Sequence, residues 1–208
     1  MNGGFAITIV SRIQKIVDFF MMSQIITQIH KKNLHNIYLI GPMGAGKTSV
    51  SKSLTTLTKS VFYDSDGEIE RQTGIDIPWI FEKEGETGFR ERESKMIESL
   101  CKLDNIILST GGGTILTESN RRCLSKHGIV VYLMVSVEIQ FKRIIQKRES
   151  RPLVIRYDSK EKLKQLNKER EPLYRSIANL VYSTNNLKPQ QLATQILNDI
   201  KKIYKISL

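Results

Sequence analysis

The sequence predicts an α/β fold: a three-layer, doubly wound sandwich in which helices cover both faces of a five-stranded parallel sheet. Three observations predict it. From Asn36 onward, short continuous apolar runs alternate with longer helical patterns. A Gly-x-x-x-x-Gly-Lys-Thr loop joins the first run to the first helix. The second and third runs end in Asp64-Ser65-Asp66 and Gly111-Gly112-Gly113, polar or small residues suited to a ligand-facing sheet edge.

The strands are expected at 37–40, 61–63, 106–108, 129–134 and 180–182. Each is apolar without alternation, as a strand must be when helices lie on both of its faces. Helices are expected at about 47–59, 78–102, 118–127, 136–147, 159–178 and 189–204. No repeat or low-complexity segment interrupts the pattern, so one domain, 36–208, accounts for it. Residues 1–35 read differently. Stretches 6–10 and 16–22 are apolar, Arg12 and Lys15 are basic, and Asp18 is the only acid. A secretory signal would have a longer apolar core and a cleavage site, and a transit peptide more Arg and Ser. An amphipathic extension outside the core is expected, with Met21 and Met22 as alternative starts. Deleting residues 1–20 should leave turnover and melting temperature unchanged. A fall of more than ~4 °C, about 1 kcal/mol or more in a domain of this size, would show that it packs on the core.

Composition narrows the function classes. Of 208 residues, 40% are hydrophobic and 25% charged, near the soluble globular average. A span would need about 20 consecutive apolar residues, and the longest runs, such as 129–135, are far shorter, so no membrane role is expected. Aromatic residues make up only 7%, too few for a platform that stacks single-stranded nucleic acid. The net charge is +11, of which +7 lies in residues 142–175. Acids interrupt this stretch, so it suits a polyphosphate better than a nucleic-acid backbone. Cys101 and Cys123 share no close spacing and form no metal or redox motif. A reducing cytoplasm follows as the expected compartment.

The strongest chemical signal is Gly41-Pro42-Met43-Gly44-Ala45-Gly46-Lys47-Thr48, a P-loop between a strand and a helix. Its glycines let successive N–H groups converge on phosphate oxygens, and the helix N-terminus adds to the field. Lys47 would bridge the β- and γ-phosphates and the Thr48 hydroxyl would ligate Mg²⁺. The loop alone names a nucleotide binder, shared by GTPases, motor ATPases and small-molecule kinases. Asp64 and Asp66 then face it from the second strand, one toward the metal and one toward an acceptor hydroxyl. Asp66 could equally cap the next helix. Arg90 follows the acidic run 82–86 and could be an ion-pair partner within its helix or a ligand. Arg151, in Arg151-Pro152-Leu153, can stabilise a transferring phosphoryl group, and Arg170 can clamp a carboxylate.

Taken in order, the P-loop, Asp64-Ser65-Asp66, Gly85-Glu86 with Phe89-Arg90, the triple glycine, Arg151-Pro152-Leu153 and Arg170 with Pro172-Leu173-Tyr174 resemble the shikimate kinases of aromatic amino-acid biosynthesis. The resemblance covers about residues 36–203. It implies a P-loop, nucleoside-monophosphate-kinase-like fold with a lid at about 148–158 and a substrate subdomain at about 66–95. It implies that Gly44, Ala45, Gly46, Lys47, Thr48 and Ser49 hold the ATP phosphates, joined by Arg151, with Mg²⁺ on Thr48 and, through water, on Asp64. Asp66, Arg90, Gly112 and Arg170 are implied to bind shikimate, and Lys47, Asp66 and Arg151 to act in catalysis. A monomer acting on small molecules is implied. Two features depart from common patterns: the third strand ends in Ser109-Thr110 without a Walker B acid, and 183–189 lacks the arginine that some members place near adenine. A gluconate kinase, a non-catalytic relative and a nucleic-acid-dependent ATPase remain as alternatives.

Overall fold

The computed structural model describes residues 36–146 and 159–205. Strands β1 (Ile37–Ile40), β2 (Val61–Asp64), β3 (Ile106–Ser109), β4 (Ile129–Met134) and β5 (Leu180–Ser183) form one sheet in the order β2-β3-β1-β4-β5. All four pairings are parallel. The helices are α1 (Lys47–Thr58), α2 (Ser65–Thr73), α3 (Ile77–Cys101), α4 (Glu118–His127), α5 (Val137–Gln146), α6 (Lys160–Ile177) and α7 (Pro189–Tyr204), with a 3₁₀ turn at Thr114–Leu116. The expected strands are all present, within one residue at their ends. The lid at 148–158 and the extension at 1–35 lie outside the described residues.

Burial explains the apolar runs. Every residue of β1 and β3 is buried, because each has a strand on both sides and helices above and below. Side chains alternate between two cores, as the period of two dictates. Tyr38, Ile40, Leu108 and Val130 pack with Ile97, Leu100, Leu124 and Tyr174 of α3, α4 and α6. Ile37, Leu39, Ile107 and Val131 pack on the other face with Val50, Leu54, Leu192 and Ile196 of α1 and α7. Each such Leu or Ile, fully buried, contributes about 1.5–3 kcal/mol of transfer free energy. The edge strands are more open, with Val61 of β2 and Val181 of β5 exposed. Asn36 stitches the base of the sheet: Nδ2 donates to Leu103 O at 2.7 Å, Oδ1 accepts from Ile106 N at 3.0 Å, and its carbonyl accepts from Ile129 N at 2.8 Å.

Helix α2 was not expected from the sequence. Its nine residues bury only Ser65 and Ile69, and Gly67 lowers its intrinsic propensity, so no apolar period marks it. Helix α3 starts where Asp76 caps it, accepting from Trp79 N at 2.9 Å. It bends at Gly85, whose φ of 69° and ψ of −172° are open to glycine and strained for other residues. Beyond the bend, Phe89 and Glu93 are buried. No helix among the described residues is long and apolar enough to cross a membrane.

The fold adds one juxtaposition that spacing did not offer. Cys101 and Cys123, unrelated in sequence, come together with His127 where the C-terminal ends of α3 and α4 pack side by side. Sequence spacing concealed this because the contact is tertiary.

Candidate active site

The loop from Gly41 to Gly46 leaves β1 at the carboxyl edge of the sheet and opens α1. At Gly41, φ is 141° and a methyl group would collide with the Leu133 carbonyl of β4, so the loop can lie this close only with glycine. Gly46, with φ 88°, forms the N-cap, and no acid occupies the first turn to compete for the helix's positive end. Lys47 Nζ donates to Gly41 O at 2.8 Å and Pro42 O at 3.0 Å, folded across the loop. Two side chains of α5 brace the loop from behind. Gln140 Nε2 donates to Met43 O at 2.9 Å, and Arg143 Nη1 donates to Gly44 O at 3.0 Å while its Nη2 reaches Thr184 O at 2.8 Å. Neither was singled out by sequence. They lie almost 100 residues beyond the loop, and only the β1–β4 pairing brings them there.

Thr48 Oγ1 donates to Asp64 Oδ2 at 3.1 Å and lies 3.4 Å from Ser109 Oγ. A hydroxyl and a carboxylate from two elements thus meet at the start of α1, a set of hard oxygen donors that fits Mg²⁺. Asp64 also caps α2, accepting from Gly67 N at 3.5 Å. The capping role offered to Asp66 therefore belongs to its neighbour.

Opposite the loop, Arg90 projects from α3 beside Gly113, where a methyl group would overlap its guanidinium. Its Nη1 donates to Glu93 Oε2 at 2.7 Å and its Nη2 to Glu86 Oε1 at 3.2 Å. Glu93 is completely buried and also accepts from Thr114 Oγ1 at 2.7 Å. Burial lowers the Arg90 pKa, but the two glutamates more than offset it, so the guanidinium stays charged. Asp66 lies against Gly111, where a methyl group would sit 2.6 Å from its Oδ1. The Gly112 carbonyl accepts from Tyr174 OH at 2.5 Å and Arg170 Nη1 at 3.3 Å. The three glycines thus bring backbone within reach of Asp66, the P-loop and Arg90 in turn. Glu93 and Tyr174 were not singled out, although Tyr174 lies in a quoted motif; their partners are visible only in three dimensions.

A single cavity of about 430 Å³ joins these parts. Its walls include Gly44, Ala45, Gly46, Lys47, Thr48 and Ser49, with Asp64, Asp66, Arg90, Gly112 and Arg170. Ile144, Leu163, Leu166, Leu187 and Pro189 add apolar walls, which sequence left unassigned. Arg151 lies outside the described residues. The arrangement can hold a polyphosphate on the loop and present a second anion, gripped by guanidinium groups, to its terminal phosphate.

The family model for shikimate kinase matches residues 43–201. A shikimate kinase of Coxiella burnetii is 64% identical over 176 residues, which cover 84% of this chain and 96% of that protein. One from Acinetobacter baylyi is 47% identical over 167 residues, 80% of this chain and 92% of the relative. Among solved structures, the shikimate kinase from Acinetobacter baumannii in complex with shikimate matches with a TM-score of 0.76 at 44% identity, covering 85% of this chain and 98% of that one. The shikimate kinase from Aquifex aeolicus matches with a TM-score of 0.69 at 30% identity, covering 83% and 99%.

Proposed function

The chain belongs to the shikimate kinase family, and from that premise we infer that it transfers the γ-phosphate of ATP to the 3-hydroxyl of shikimate, giving shikimate 3-phosphate and ADP for aromatic amino-acid biosynthesis. The observation that carries this is the single cavity shared by the P-loop, Asp66 and the two arginines Arg90 and Arg170.

Each residue then has a physical task. The N–H groups of Gly44 to Ser49 and the positive end of α1 receive the ATP phosphates. Lys47 exchanges its contacts with the loop carbonyls for the β- and γ-phosphate oxygens. Thr48 and, through water, Asp64 would hold Mg²⁺, which would supply positive charge against those oxygens. Arg90 and Arg170 clamp the shikimate carboxylate, Arg90 being aimed by Glu93 and Arg170 by the Gly112 carbonyl. Asp66 accepts a hydrogen bond from the attacking hydroxyl and is the candidate general base. Because the transition state of phosphoryl transfer is loose, orienting that hydroxyl matters as much as removing its proton. Arg151 is assigned to the ATP phosphates on the family resemblance. A monomer working on small molecules in the cytoplasm belongs to the same reading and rests on the family resemblance.

A coupled ADP-release assay with shikimate, gluconate and quinate tests the assignment. Rapid ADP release is expected with shikimate alone. Preference for gluconate would replace the substrate, and release independent of any acceptor would make the chain an ATPase.

A further inference from the structure

We propose that Cys101, Cys123 and His127 form a binding site for a borderline-soft divalent cation, Zn²⁺ in particular, at the edge of the sheet opposite the P-loop. Two sulfurs and an imidazole nitrogen, one ligand atom from each residue, all lie within 4.8 Å of one another. In a tetrahedral zinc site, Zn–S bonds of ~2.3 Å and Zn–N bonds of ~2.0 Å place neighbouring ligand atoms roughly 3.5–3.8 Å apart. Small side-chain rotations therefore complete the geometry without moving either helix.

The surroundings favour a cation. Cys123 and His127 are four residues apart on α4 and share one face, with Sγ and Nδ1 at 3.8 Å. Cys101 is the last residue of α3 and His127 the last of α4, so the negative ends of two helix dipoles converge on the cluster. Such a place favours a cation. In the metal-free chain the imidazole Nδ1 donates to the Cys123 carbonyl at 2.9 Å, a contact that Nδ1 gives up if it, rather than Nε2, takes the cation. The His127 backbone is held in turn by Tyr38, whose buried hydroxyl donates to its carbonyl at 3.2 Å. Cys101 is buried while Cys123 and His127 are half-buried, so solvent reaches the cluster from one side. That side provides an entry path and a fourth position for water. Two thiols and an imidazole match zinc rather than the oxygen-seeking Mg²⁺ of the nucleotide site. The cluster precedes β3 and β4, whereas the P-loop follows β1, so a cation here would tie α3 to α4 without entering the catalytic cavity.

Cobalt(II) provides the test on the full-length, reduced, metal-free chain. One equivalent should produce thiolate-to-cobalt charge-transfer absorption and the intense visible bands of tetrahedral cobalt, both bleached by Zn²⁺. Cys123→Ser and His127→Ala should weaken binding by at least about tenfold, with phosphoryl transfer in Mg-ATP unchanged. Thr48→Ala should leave the cobalt spectrum intact, since oxygen ligands give no thiolate band. Absence of the charge-transfer band in the wild-type chain overturns the proposal. So does undiminished cobalt affinity in Cys123→Ser, or a chain that forms a Cys101–Cys123 disulfide in air yet takes up no cobalt when reduced.

Discussion

Replacing Lys47 by alanine is expected to lower turnover by at least about a hundredfold, or about 2.7 kcal/mol of transition-state stabilisation, while the chain stays folded. The ammonium is buried in the loop and bonded to the Gly41 and Pro42 carbonyls. With ATP present, the same charge follows the γ-phosphate as negative charge shifts onto the bridging oxygen, a gain made chiefly in the transition state. The folded state loses less. Two neutral acceptors lose a donor, each worth about 0.5–1.5 kcal/mol, and water entering the cavity can take its place. Nucleotide affinity should fall less than turnover, because the N–H groups from Gly44 to Ser49 remain. Turnover at saturating substrates, alongside a thermal melt, separates the two effects. A folded variant with near-normal turnover contradicts the role given to Lys47.

Arg90→Ala should weaken shikimate binding by about 1.5–3 kcal/mol, the range for a charge-assisted hydrogen bond, and barely change nucleotide affinity. The structure adds a complication. Arg90 is also the ion-pair partner of the wholly buried Glu93, and removing one member of such a pair costs about 3–5 kcal/mol of stability. The double variant Arg90→Ala, Glu93→Gln resolves it. Glutamine is uncharged and can still accept from Thr114, so the fold should recover while shikimate binding stays lost. Arg90→Lys should restore binding only in part, since an ammonium lacks the planar fork. Titrations with each ligand separately decide. Equal losses for shikimate and nucleotide, or recovered shikimate binding in the double variant, would reduce Arg90 to a structural ion pair.

Much of this was legible in the sequence, for physical reasons that also explain what was not. Buried central strands must be apolar throughout, so β1, β3 and β4 announce themselves. The P-loop and the triple glycine are contiguous, and their chemistry depends on local backbone geometry. Helix α2 escaped because it is capped and polar, with Ile69 as its only buried apolar side chain. Gln140, Arg143 and Glu93 escaped because their roles arise from contacts that the sheet order creates. Arg143 looks like one more charge in a basic stretch until β4 places it behind Gly44. Asp66 lines the cavity, while the cap that was its alternative reading belongs to Asp64. The two cysteines show the converse: 22 residues apart in sequence, they meet where two helix ends do. Cys123 and His127, four apart in an expected helix, were the available signal.

The identity of the product tests the central claim most directly. Phosphorus NMR of the wild-type chain with Mg-ATP and shikimate should show ADP and a new phosphomonoester in equal amounts, the ester phosphorus coupled to the proton on carbon 3 of the ring. ADP accompanied by inorganic phosphate, with shikimate unchanged, would contradict it.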